Sequence, residues 1–113
     1  MAAVYVSNLV VNTGTTFTQT FSLENSDSSS ILNLGGYSVS AQMRKHAGSS
    51  SYTSFSASVV NATAGTVRVG LGTTTTASLK PGRYVYDVLI TDNAGVITRV
   101  VEGSVLVREG VTR

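Results

Sequence analysis

Apolar and polar residues alternate along most of this chain, and the longest such stretch lies near its end. Arg83 to Thr91 is rich in Tyr, Val, Leu and Ile, Asp92-Asn93-Ala94-Gly95 interrupts it, and Val96 to Val107 resumes the apolar pattern. Those side chains suit a pleated surface, while Asp, Asn and Gly supply turn chemistry, so Leu79 to Val107 predicts a long β-hairpin. Pro81-Gly82 keeps a helix from running into it.

The same period of two recurs upstream. Ala2 to Val11 reads as a first strand broken near Ser7-Asn8, and Thr13-Gly14 as a turn. Thr15 to Leu23 sets Phe17, Phe21 and Leu23 on one face and Thr16, Thr18, Thr20 and Ser22 on the other, with Gln19 the exception. Glu24 to Ser30 is a polar loop, followed by Ile31-Leu32-Asn33-Leu34 and a bend at Gly35-Gly36. Tyr37 to Arg44 brings Tyr37, Val39, Ala41 and Met43 together on one face. Lys45 to Ser51 is a second loop, Tyr52 to Val60 a weaker strand, and Asn61 to Gly65 a turn. Thr66 to Leu71 is a strand with Val67, Val69 and Leu71 inward, and Thr73 to Thr76 leads to the hairpin. No segment of helix length has a helical period. About seven short strands with turns between them predict an all-β protein, a β-sandwich ahead of a jelly roll or small barrel. A length of 113 residues suits a single domain over 1–113.

One local pattern narrows the architecture. Leu79-x-x-Gly82-x-Tyr84 matches the tyrosine corner of immunoglobulin-like sandwiches, in which a Tyr near the start of the penultimate strand bonds backbone a few residues upstream. The expected fold is therefore an immunoglobulin-like antiparallel β-sandwich. Tyr84, Tyr86, Val88 and Ile90 then face the core, as do Ile97, Val101, Val105 and Val107 on the last strand. The outer side of the hairpin is left with Val85, Leu89, Val96, Val100 and Leu106, an apolar set where Thr15 to Leu23 presents hydroxyls. A contiguous apolar patch on an outer sheet face marks a protein-contact surface. The competing reading is a bulge at Gly103 that exchanges the faces along the last strand.

Composition bears on the surface. Charged residues make up 12% of the chain, about half the usual share, and Ser and Thr fill the difference. Such a composition suits an extracellular or particle-bound β-protein, in a permanently assembled state. The net charge is +2 and the basic residues are scattered, so they form no stripe for nucleic acid. There is no Cys for a disulfide or thiolate metal site. The start, Met1 to Val10, has neither a basic region nor a long apolar run, so no secretory signal is expected; no stretch is apolar enough for a transmembrane helix, and no membrane partner is expected.

Catalytic chemistry finds little support. His46 is the one histidine, in the loop Lys45 to Ser51, and Ser49 to Ser51 beside it lack a nucleophile-elbow pattern. Asp87 and Glu102 could pair across the hairpin, where cross-strand polar positions on a sheet surface explain them as well as a carboxylate pair does. Glu24-Asn25-Ser26-Asp27 and Asp92-Asn93 are weak calcium candidates that turn propensity also explains, and the sequon Asn61-Ala62-Thr63 reads as coincidence. No catalytic, cofactor-binding or metal-binding residue is assigned.

A wider pattern links these pieces: Leu32-x-Leu34-Gly35-Gly36-Tyr37, Gly65-x-Val67, Leu79-x-Pro81-Gly82-x-Tyr84-x-Tyr86-Asp87-Val88, Asp92-x-x-Gly95-Val96, Arg99-x-x-Glu102-Gly103 and Val105-x-Val107. It resembles the immunoglobulin-like N-terminal domain of baseplate upper proteins of tailed bacteriophages, and small virion proteins of T4-type marine cyanophages. The resemblance implies a non-enzymatic virion structural protein without cofactors, made in the host cytoplasm. Its partners would be other phage structural proteins, met as a tail, baseplate or neck adaptor or as capsid-surface decoration. In baseplate proteins docking parts follow the domain, whereas this chain ends at Arg113; the resemblance favours the tail or baseplate, the single short domain favours decoration, and both stay open. Homo-oligomer formation stays open. The alternative is a carbohydrate-binding or host-adhesion module that holds a host glycan with its loops, for which Tyr52 beside Lys45 to Ser51 is the one feature.

Overall fold

The computed structural model describes residues 5–23 and 34–111. In it the alternating stretches become β1 (Tyr5–Val6), β2 (Leu9–Asn12), β3 (Phe17–Ser22), β4 (Ser38–Arg44), β5 (Thr53–Ser54), β6 (Ser56–Asn61) and β7 (Thr66–Leu71), then a short helix α1 (Thr73–Ala77), then β8 (Gly82–Thr91) and β9 (Ile97–Arg108). The expected loop Glu24 to Ser30 and the run Ile31-Leu32-Asn33 lie outside the described residues. Two sheets pack face to face, one ordered β1/β2–β9–β8–β4–β5 and the other β3–β7–β6. Because β1 and β2 are the halves of one interrupted strand along β9, the sandwich has eight strands among the described residues. This is an immunoglobulin-like arrangement. One pairing departs from the antiparallel expectation: β1 and β2 run parallel to β9.

The hairpin is the longest pairing, from Gly82↔Val107 to Thr91↔Ile97. Its turn is held by Asp92, whose Oδ1 accepts the N–H groups of Ala94 and Val96, each at 2.9 Å, while Gly95 takes φ +86°. The tyrosine corner is present: the Tyr84 hydroxyl donates to the Lys80 carbonyl at 2.7 Å. Between the sheets lie Val11, Phe21, Leu23, Met43, Val67, Val69, Val88, Ile90, Val101 and Val105, all buried. Each such side chain contributes roughly 1.5–3 kcal/mol through removal of apolar surface from water.

Two elements differ from the sequence expectation. Tyr52 to Val60 serves both sheets: β5 pairs with β4, β6 pairs with β7, and the chain crosses at Phe55. Phe55 is buried there against the rings of Phe17 and Tyr86, with centroids 6.2 and 6.1 Å away. The lead-in Thr73 to Thr76 is helical, and its buried Thr76 donates its hydroxyl to the Thr15 carbonyl at 2.8 Å, tying the helix to the start of β3.

The third difference is a correction to the outer face. Val88 pairs with Val101, but the next residue, Leu89, pairs with Arg99, so β9 carries one extra residue, Val100. Val100 is 0% exposed and belongs to the core, not to the contact surface. The physical reason is Arg99. Counting inward in twos from Val107 through Val105, Gly103 and Val101 would send Arg99 into the core, where an unpaired guanidinium costs several kcal/mol. The bulge takes Val100 in and turns Arg99 out. It also turns out Ile97, expected inside and found 64% exposed. The bulge sits at Val100, three residues before Gly103 in the chain.

Placing a charge at the bulge tests this assignment. Val100→Lys is expected to lower the unfolding free energy by about 3–5 kcal/mol, as for other uncompensated buried charges, measured by urea titration. A loss below about 0.5 kcal/mol, the range of ordinary surface substitutions, would place Val100 outside.

Candidate docking face

Cross-strand register sets what the outer face of the larger sheet displays. Successive rows read Val10–Leu106–Arg83, then Ser104–Val85–Arg44, then Val6–Glu102–Asp87–Gln42, then Arg99–Leu89–Ser40. The middle rows line a shallow trough of about 650 Å³ whose apolar walls come from Val6, Val85 and Leu89.

Four of the five expected contact residues are on the surface side. Val85 is 40% exposed and Leu89 is half-buried in the trough. Leu106 is half-buried beside Val10, outside the trough. Val96 is exposed in the turn beyond the end of β8. Val100 is the one the fold removes. In exchange the face gains Val6, Val10 and Ile97, all exposed. Ile97 was hidden by the bulge. Val6 and Val10 depend on a parallel pairing between the two ends of the chain, which no local pattern announces.

The charges of the trough form one cluster. Asp87 and Glu102 are direct cross-strand partners, a like-charge pair that is unfavourable by itself. Arg99 relieves it, with Nε 3.3 Å from Asp87 and Nη1 3.8 Å from Glu102. These groups are about half exposed, so each pair is worth at most about 1 kcal/mol and sets side-chain placement more than stability. At the β4 rim Arg44 is held three ways. It donates to the Ser49 carbonyl at 2.6 Å and to Gln42 Oε1 at 3.1 Å, and its guanidinium lies 4.7 Å from the ring centre of exposed Tyr52.

The floor of the trough is pinned from inside. The buried Tyr86 hydroxyl donates to the Ser7 carbonyl at 2.6 Å, in the break between β1 and β2. Gly103 makes that break possible, because a Cβ there would collide with the Ser7 carbonyl oxygen. Asn8 Oδ1 then accepts from the Ser104 N–H and hydroxyl at 3.1 and 3.0 Å, replacing a lost backbone rung. Burial pushes the Tyr86 phenol above its ordinary pKa of 10.0.

The remaining candidates of the sequence stay apart. His46 is exposed in its turn, and Asp92 is occupied by the hairpin turn. Asn61 Oδ1 accepts from the Thr63 hydroxyl and the Ala64 N–H, as a turn residue does. Glu24-Asn25-Ser26-Asp27 lies outside the described residues, and among the described residues no three His, Asp or Glu side chains gather to hold a metal.

No protein-family model and no curated protein matches the sequence. Among solved structures the chain is similar to the SrpA adhesin of Streptococcus sanguinis, with TM-score 0.53 and 12% identity over 96% of this chain. It spans 57% of that adhesin chain. An internalin-like protein of Listeria monocytogenes gives TM-score 0.44 at 12% identity, over 95% of this chain and 28% of the other. The first likeness is one of fold; the second is too distant to argue from.

The raised Tyr86 pKa carries a sign for stability. Above about pH 10 the unfolded chain releases the phenolic proton while the folded chain keeps it, so the Tyr86 contribution is present below that pH and is lost as pH rises further. Urea midpoints from about pH 8 to about pH 11 are expected to fall less steeply for Tyr86→Phe than for the parent. Identical alkaline slopes would mean that Tyr86 titrates alike in both states.

Proposed function

We propose that this chain is a non-enzymatic structural protein of a tailed-phage virion, an immunoglobulin-like sandwich that docks on other virion proteins through the outer face of its larger sheet. The observation that carries the docking is the contrast between the two outer faces. On the smaller sheet β3 shows Thr18, Thr20 and Ser22 to solvent, and β6 shows Ser56 and Ser58. On the larger sheet Val6, Val10, Val85 and Ile97 are exposed around a concave trough. On the smaller sheet Val60 of β6 is the one exposed large apolar side chain among the described residues, against four on the larger sheet. Apolar side chains gathered in the open in this way are worth roughly 25 cal/mol per Å² once a partner covers them. The virion assignment is supported by the resemblance carried by Leu79 to Val88 and Asp92 to Val107.

A second reading, host adhesion, is favoured by one feature at the same rim: exposed Tyr52 with Arg44 against its ring, beside the loop Lys45 to Ser51. SrpA, whose fold this chain shares, is an adhesin. An exposed aromatic with a neighbouring guanidinium offers a flat platform and a hydrogen-bond donor to a sugar.

Val85→Lys combined with Leu89→Lys separates the two. The thermal midpoint is expected to stay within a few degrees of the parent, since both side chains point outward, while incorporation into phage particles, read by immunoblot of purified virions, is lost. Normal incorporation would remove the trough from the docking role. Glycan-array binding by the pure protein that Tyr52→Ala abolishes would favour adhesion.

A further inference from the structure

Each sheet has two edges, and three of the four are blunted. The edge formed by β1 and β2 is broken at Ser7-Asn8. The β5 edge is two residues long, and β6 has a register shift between Val59 and Asn61. Breaks, shortness and bulges are the devices that keep a sheet edge from pairing with another chain. The β3 edge has none of them. Its six residues pair without interruption with β7, and the stretch Thr15 to Leu23 contains no charge and no Pro.

The direction of the free backbone groups follows from register. The Leu23 N–H donates to the Gly65 carbonyl at 2.8 Å, which puts Leu23 in a hydrogen-bonded pair with the β7 side. By alternation Phe21, Gln19 and Phe17 also turn their N–H and C=O toward β7, and Thr18, Thr20 and Ser22 turn theirs outward. The Thr20 carbonyl receives a 3.3 Å hydrogen bond from the Gln19 side-chain amide. Among the described residues no strand lies on that side of β3.

The residue order on this edge then selects the occupant. Phe17-Thr18-Gln19-Thr20-Phe21 reads the same in both directions, and Thr16 and Ser22 extend the symmetry with one hydroxyl at each end. We propose that β3 pairs antiparallel with β3 of a second copy of this chain, centred on Gln19, joining two three-stranded sheets into one of six strands. In that register Phe17 stands opposite the partner's Phe21 on the core side, Thr18 opposite the partner's Thr20 on the outer side, and Gln19 opposite the partner's Gln19 on the two-fold axis. The outward groups of Thr18 and Thr20 meet their counterparts as hydrogen-bonded pairs, and Thr–Thr cross-strand pairs are favourable. The absence of charge means that two copies meet without repulsion. The surface is separate from the trough on the larger sheet.

Sedimentation velocity of the full chain over a concentration series, with three variants, tests the pairing. The parent is expected to approach twice the 11.7 kDa chain mass as concentration rises. Thr18→Lys with Thr20→Lys sets ammonium groups against each other and is expected to sediment as monomer, with the thermal midpoint the parent shows at dilutions where it too is monomeric, both side chains being exposed. The chain has no Cys, so a single introduced thiol reports register. Gln19→Cys, on the axis and in a non-hydrogen-bonded pair, is expected to cross-link on oxidation at least about tenfold more than Thr18→Cys, whose thiols are offset along the strands. A parent that stays monomeric at every concentration, a dimer that survives the lysine pair, or equal cross-linking at 18 and 19 would each overturn the proposal. Val85→Lys with Leu89→Lys leaves this dimer intact, which keeps its outcome independent of the docking face.

Discussion

The last strand has to satisfy two neighbours and one arginine. β9 pairs antiparallel with β8 on one side and parallel with β1 and β2 on the other, while Arg99 sits within its run. A regular strand that kept Val101, Val105 and Val107 in the core would drive Arg99 in with them. One extra residue resolves the conflict, placing two consecutive valines, 100 and 101, in the core and returning the guanidinium to water. The layout of the outer face follows from that choice. Arg99 reaches both Asp87 and Glu102 because the bulge turns it onto their face of the sheet, and Ile97 reaches solvent for the same reason.

Local chemistry made much of this fold legible in the sequence. Alternation located β3, β4, β7 and β8, and the Asp92 to Gly95 turn and the tyrosine corner were visible as short patterns because each depends on residues close in the chain. What stayed hidden depends on distance or parity. The crossing at Phe55 divides one apolar run between two sheets, and an aromatic inside a run gives no sign of which sheet it leaves. The bulge was half legible: Arg99 shares its parity with Val101 and Ile97, so strict alternation already put a charge in the core. Gly103 attracted attention as a glycine in a strand, but it answers a steric demand from Ser7, at the other end of the chain. Two residues of the candidate face were invisible for that reason, since Val6 and Val10 reach it only through the parallel pairing.

The sparse charge of the chain acquires a structural meaning in this arrangement. Both ion pairs among the described residues involve Arg99, and the cation contacts at Tyr52 and Tyr84 lie next to each other at one end of the same sheet. The smaller sheet carries hydroxyls instead, with Arg68 the one charge along β3, β6 and β7. The two faces therefore differ in composition, one carrying several exposed valines and an isoleucine, the other mostly hydroxyls with Val60 as its exposed apolar side chain.

The parallel pairing of the first and last strands also governs how the domain bears load. Tyr5 to Asn12 runs beside Val101 to Arg108 in the same direction, so the two ends of the chain leave at opposite ends of one ladder. A force drawing them apart slides the strands lengthwise and strains all the rungs together, instead of opening them one at a time. The Tyr86 hydroxyl on Ser7 and the Asn8 side chain on Ser104 lie in the middle of that ladder, where they act as cross-ties against the slide. Under tension, this geometry makes the seam between the first and last strands a clamp.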